Sequence, residues 1–176
     1  AEDPTAADAH HFLAVLYEMT GKSDLARKHY GLAIEHDDGM AESKNNLAYL
    51  LASTGEELDL ALTLAQEAKA AMPGNPNTAD TLGWVLLKRN VPSAAIGYFR
   101  EALANMPPDD QARGEVGYHL GLGYVAAGQN DDAEAAFETA LQHLDAQLDA
   151  AQAAGDRVAE PAWASQARAE LQKISS

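Results

Sequence analysis

The sequence predicts an all-α chain built from repeated helix pairs, and three observations carry that expectation. Small residues recur at matching positions: Ala26, Ala61, Ala95 and Ala133 stand 35, 34 and 38 residues apart, with Ala33, Ala68, Ala102 and Ala140 beyond them. Breakers at Gly21, Gly39, Gly55, Pro73-Gly74, Asn90 and Gly128 separate apolar stripes of helical period. The composition is 47% hydrophobic but only 6% aromatic, which suits thin helices packed closely and argues against a sheet.

The unit is clearest between Asp80 and Pro107. Leu82, Gly83 and Leu86 stripe one helical pattern, and Ala95, Phe99 and Ala102 stripe the next. Helices lie close only where the side chains at the crossing are small. Ala14, Ala48, Gly83 and Gly121 supply small residues on the first helices of successive pairs. A single pair cannot bury its stripe alone, so the pairs must stack.

Taken in order, helices are expected at about 5–20, 23–36, 40–53, 57–71, 76–89, 92–105, 110–127 and 130–153. Thr5-x-x-Asp8 reads as a capping box for the first. The extra residue between Ala26 and Ala61 belongs to the turn around Glu56 to Asp59. The longer spacing from Ala95 to Ala133 places an insertion between Pro107 and Gly117, about one helical turn in length. With Asp109 as a cap, it implies an earlier start for the seventh helix. Phe137, Leu141, Leu144, Leu148 and Ala151 continue one stripe, so the eighth helix should run long. After Gly155-Asp156 a ninth helix carries Trp163, Ala167, Leu171 and Ile174 on one face, the form of a terminal cap with a polar outer side.

Each pair repeats a pattern. Leu13-Ala14-x2-Tyr17 precedes Ala26-x3-Tyr30; Leu47-Ala48-x2-Leu51 precedes Ala61-x3-Ala65 and Pro73. Leu82-Gly83 precedes Ala95-x3-Phe99 and Pro107; Leu120-Gly121-x2-Tyr124 precedes Ala133-x3-Phe137. The chain thereby resembles the tetratricopeptide-repeat (TPR) family, whose template is W-x2-L-G-x2-Y, A-x3-F and P on a period of about 34 residues. The template's first tryptophan is absent, with His10, Lys44, Ala79 and Gly117 in its place. The resemblance implies an α-solenoid wound as a right-handed superhelix, with four helix-turn-helix repeats and a C-terminal capping helix. It would be one domain over 1–176, with repeats at about 7–40, 41–75, 76–109 and 114–147 and a cap at about 156–174.

The formal charge of −15 disfavours nucleic acid, which is bound chiefly through lysine and arginine, and anionic membrane surfaces. Its plain reading is solubility for an alanine-rich surface. No apolar run approaches the roughly 18 residues of a membrane span, so direct membrane insertion is not expected. The opening Ala1-Glu2-Asp3-Pro4 reads as the boundary of an array excerpted from a longer protein, with signal cleavage as the alternative. The absence of cysteine removes disulfide and thiol chemistry and fits any compartment.

No catalytic constellation emerges. The acidic pairs Asp37-Asp38, Glu56-Glu57, Asp109-Asp110 and Asp131-Asp132 sit at turns or helix starts, where negative charge meets the positive end of the helix dipole. His10 and His11 diverge on a helix, while His29 and His36 stand about 10 Å apart along theirs, too far to share a metal. We find no phosphate loop, nucleophile elbow or H-E-x-x-H pattern. The chain reads as non-enzymatic, with no cofactor and no metal.

One feature exceeds what packing needs. Two positions beyond each stripe leucine stand Val15, Tyr49, Trp84 and Leu122, and in TPR proteins this position looks into the concave groove that binds peptides or helices. Its neighbours there would be His11, Phe12 and Met19; Asn45 and Ser53; Asp80, Leu87 and Lys88; and Tyr118 and His119. Such a ladder suits an extended peptide or an amphipathic helix. The competing expectation is that these side chains pack between repeats or under the ninth helix. A chaperone-type carboxylate clamp is not expected: Asn45 and Asn46 fit it, but His11, Phe12, Asn77 and Thr81 stand where basic residues belong.

Asn45 to Leu51 and Asp80 to Lys88 also resemble bacterial envelope TPR proteins of exopolysaccharide export. That implies an envelope or periplasmic location, with the cytoplasm as alternative. Two functions follow. One is an adaptor holding a peptide or helix of a partner protein. The other is a self-assembly or intramolecular scaffold, in which a homo-oligomer is one form.

Overall fold

The structure is a computed structural model; it describes the backbone of residues 4–175 and the side chains of residues 6–175. The readings on the opening residues and on the Thr5 hydroxyl lie outside the described residues. All regular structure among them is helical: α1 (Pro4–Met19), α2 (Ser23–His36), α3 (Ala41–Thr54), α4 (Leu58–Ala71), α5 (Pro76–Lys88), α6 (Pro92–Asn105), α7 (Arg113–Ala126), α8 (Asn130–Ala154) and α9 (Ala162–Ile174). The chain divides into two compact units, Ala1–Arg89 and Asn90–Ser176.

In the first unit α1 packs on α2, α2 on α3, and α4 and α5 both on α3 and on each other. The close approaches fall where small residues were expected. Ala14, Ala26, Ala48 and Ala61 are fully buried, with Tyr30, Leu51 and Val85 filling the space between. The extra residue near Glu56 is absorbed by two left-handed positions, Gly55 at φ 75° closing α3 and Glu57 at φ 43° opening α4. At α5, Asn75 accepts a hydrogen bond from the Asn77 amide at 2.9 Å and Pro76 takes the first turn, where its missing N–H costs nothing.

In the second unit α7 packs on α6 and α8, and α9 lies against both α7 and α8. Gly121 admits Phe137: a Cβ there would stand 2.3 Å from its ring. Tyr118, Phe137, Trp163, Leu171 and Ile174 share one apolar cluster beneath α9. The inner stripe of the cap therefore packs as its periodicity indicated. The helix itself begins at Ala162 rather than near residue 156.

The insertion before α7 corrects the sequence reading. It forms a turn, not an added helical turn, and α7 begins at Arg113. Asp110, rather than Asp109, takes the structural role: its carboxylate accepts the Ala112 amide at 2.9 Å, and its backbone amide bonds Pro107 O at 3.1 Å. Arg113 then donates from Nη1 to Leu103 O and Met106 O at 2.9 and 3.0 Å, satisfying carbonyls at the C-terminal end of α6.

Candidate protein-interaction surface

In the first unit some of the side chains named for the groove meet neighbours on adjacent helices. His11 Nδ1 hydrogen-bonds Ser43 Oγ at 2.8 Å. Tyr49 stacks on Trp84 with centroids 6.2 Å apart, and the Trp84 indole N–H donates to Ser53 Oγ at 3.0 Å. The Lys88 ammonium lies 4.2 Å from the Trp84 ring centroid, a cation–π distance. These contacts leave Trp84 only 9% exposed. Tyr49, Val15, Asp80 and Leu87 are half-buried, and Lys88 is exposed. Phe12 and Met19 are 66% and 78% exposed, and Leu16 is uncovered beside them.

A polar cleft of about 220 Å³ opens in the same unit. Its walls come from His11 of α1, from Glu42, Asn45 and Asn46 of α3, and from Asn77 and Thr78 of α5, with Met72 and Asn75 between α4 and α5. Asn45 is 8% exposed, and its Oδ1 takes no hydrogen bond from any described residue. Nothing in the sequence spacing signalled the cleft, because its walls come from positions far apart in the chain.

The second unit treats its expected groove residues differently. Tyr118 is 8% exposed, stacks on Trp163 at 6.0 Å and donates its hydroxyl to Gln166 Oε1 at 2.9 Å. Leu122 packs against the same cluster, and His119 is buried with its ring 5.7 Å from Phe99. Tyr118 and His119 are thereby buried, while Leu122 stays half-buried against the cluster. Burial, followed by the negative charge of Glu170, pushes the Tyr118 phenol pKa up. A separate, mostly apolar cavity of about 280 Å³ stands between α6, α7 and α8, lined among others by Leu103, Leu120, Tyr124, Ala136, Arg113 and His143.

The remaining polar clusters hold the fold. Arg27 spans Glu56, at 2.7 Å, and Glu57. Asp37 accepts the Gly39 amide at 2.8 Å. Lys44, at the template's tryptophan position, buries its stem and meets Asp38 and Glu67 at 2.8 and 2.7 Å. Burial pulls its pKa down, but the two carboxylates outweigh that and hold it above the usual lysine value.

The histidines of α1 and α2 meet across the helix pair: His10 Nδ1 lies 3.0 Å from that of His29, and its ring stacks 5.4 Å from His36. Among the described residues no three or more histidine, aspartate or glutamate side chains are placed so as to hold a metal ion together. No described helix is long and apolar enough to cross a membrane.

No protein-family model matches the chain, and no curated protein matches its sequence. Solved structures do match. A crystal structure of MamA superposes with TM-score 0.62 at 18% identity, over 97% of this chain and 86% of that one. A second MamA structure, from AMB-1, gives 0.64 at 23%, covering 83% and 82%. BtubC (BKLC) from P. vanneervenii gives 0.67 at 22%, covering 92% of this chain and 69% of that one. The chain has the TPR-like helical-repeat fold. At these identities the likeness is one of fold, and it agrees with the repeat arithmetic of the sequence.

Proposed function

We propose that the chain is a non-catalytic adaptor that holds an extended peptide or amphipathic helix of a partner protein on its first unit. The observation that carries this reading is the convergence of α1, α3 and α5 on one polar cleft, next to which Tyr49, Trp84 and Lys88 form a stacked, partly exposed ladder. An aromatic rung locked by packing gives contact area at low entropic cost, and flanking amides pair with a peptide backbone. Selection of a random-peptide display library on the purified chain tests it. Enriched peptides are expected to lose at least about tenfold in affinity on Tyr49→Ala, the scale of an aromatic anchor, with circular dichroism unchanged. Peptides that bind this variant as well as the parent, or a library that yields no enrichment, would overturn the reading.

A second reading rests on α1. Phe12, Leu16 and Met19 recur at helical spacing and stand 66%, 58% and 78% exposed, an apolar stripe of the kind that stacks repeats inside the chain. It suits self-association through a second copy, the scaffold alternative. Sedimentation should then show a dimer that Leu16→Glu converts to monomer; a monomeric parent at high concentration excludes it.

A further inference from the structure

The polar cleft has a built-in direction that fixes what it prefers to hold. Tyr30, fully buried, donates its hydroxyl to Glu18 Oε2 at 2.6 Å. With its only hydrogen committed there, the phenol oxygen can only accept, and it does so from Asn46 Nδ2 at 3.2 Å. Asn46 must therefore turn its Oδ1 the other way, and that oxygen accepts from Asn45 Nδ2 at 3.3 Å. Each donor in the chain points back toward the Glu18 carboxylate. The sequence of bonds ends on Asn45 Oδ1, an acceptor that no described residue satisfies.

Reversing either amide would set oxygen against oxygen or hydrogen against hydrogen, so the order is dictated by Glu18 alone. Hydrogen bonds aligned head to tail polarise one another, which makes the terminal oxygen a stronger acceptor. Glu42 adds a carboxylate at the cleft, and the described lining residues include no lysine or arginine.

We propose that this cleft is a subsite for a cationic N–H donor, an arginine or lysine side chain of the bound segment. The proposal rests on the adaptor reading and names its partner chemistry: a basic peptide, the opposite of a carboxylate. Asn45 Oδ1 is closed off as the side chains stand, so a neighbouring side chain turns aside as the entering group takes the oxygen as its acceptor. Tyr30 is a positioning residue that acts through Asn46. Burial and the Glu18 hydrogen bond push its phenol pKa well up, which keeps the hydroxyl a donor.

The test titrates three probes into the isotopically labelled chain: Nα-acetyl-arginine amide, its neutral near-isostere Nα-acetyl-citrulline amide, and Nα-acetyl-glutamate amide. The side-chain amide resonances of Asn45 and Asn46 report binding. The arginine probe should shift them saturably, citrulline should bind about tenfold more weakly, and glutamate should leave them unmoved. Asn45→Leu should abolish the arginine response. Tyr30→Phe, which frees Asn46 and Asn45 to reverse, should keep helicity but cut the preference for arginine over citrulline to below about threefold.

Glutamate binding equal to arginine, no response from Asn45, or an unchanged preference in Tyr30→Phe would overturn the proposal. The last criterion decides even if Asn45→Leu fails to fold. If display-selected peptides bind but carry no basic residue, the subsite fails and the adaptor reading stands. If the arginine probe binds but no peptide is ever selected, the reverse holds.

Discussion

At Gly121 the missing side chain is itself a contact. The Phe137 ring rests on the bare backbone of α7, and a Cβ at Gly121 would lie 2.3 Å from one ring carbon and 2.4 Å from another. Phe137 is fully buried, so its ring cannot swing out of the way without opening the cluster beneath α9. Gly121→Ala should therefore cost about 1–3 kcal/mol despite the higher helix propensity of alanine, because overpacking outweighs a propensity gain of about 1 kcal/mol. Urea denaturation checks it, and an unmoved midpoint would show that α7 and α8 separate freely. Trp84 is the second residue-scale case. Nine-tenths buried and hydrogen-bonded to Ser53, it should cost about 3–5 kcal/mol of folding when cut to alanine, as core tryptophans do. A loss under about 1 kcal/mol would mean that its ring faces solvent. The measurement needs a Trp163→Phe background, since Trp163 also emits.

At the scale of elements, the α1–α2 pair carries a titratable seam. His10 Nδ1 and His29 Nδ1 stand 3.0 Å apart, which allows one hydrogen between them and not two, and His36 stacks on His10 from the other side. Desolvation, then the charges of His10 and Lys28, lowers the His29 pKa below 6.5. A lowered histidine pKa means that the unfolded chain binds more protons just below 6.5. The contribution of His29 is thus complete above that value and is lost as pH falls toward the folded pKa. The urea midpoint should drop between pH 7.5 and 5.5, and His29→Gln should flatten that limb. An equal drop in the variant would assign the effect to other groups.

Neither the histidine seam nor the directed chain from Glu18 to Asn45 was legible in the sequence. Their members lie up to 28 positions apart on different helices, and no spacing rule connects them. Helix limits were legible wherever glycine or proline ends a stripe. They failed at α7, where Asp109 and Asp110 look alike as caps and only the turn geometry selects Asp110. Periodicity likewise marked Tyr118 and Leu122 as a recurring face, but it could not say that α9 would cover that face.

For the whole molecule the deciding quantity is charge. The chain carries 27 acidic and 12 basic side chains, a net −15. Arg27, Lys44, Arg89, Arg168 and Lys173 each meet a carboxylate, yet exposed pairs of this kind contribute only about 0–1 kcal/mol each. Salt acts on both terms. Raising ionic strength from about 0.01 to 0.15 M shortens the screening length from about 30 to 8 Å. Paired charges sit well inside the shorter length, and the Lys44 side chain itself is buried, so they lose little. The acidic excess repels over longer distances and is relieved. The urea midpoint should accordingly rise over that range, in a chloride salt dilute enough that surface-exclusion effects stay small. Binding of a cationic probe to the first unit should move the other way and weaken, because screening removes the attraction of the same acidic excess. Opposite signs in the two measurements identify net charge as the cause. A midpoint that falls with salt would show that ion pairs outweigh the excess, and the acidic composition would then be no driver of partner attraction either.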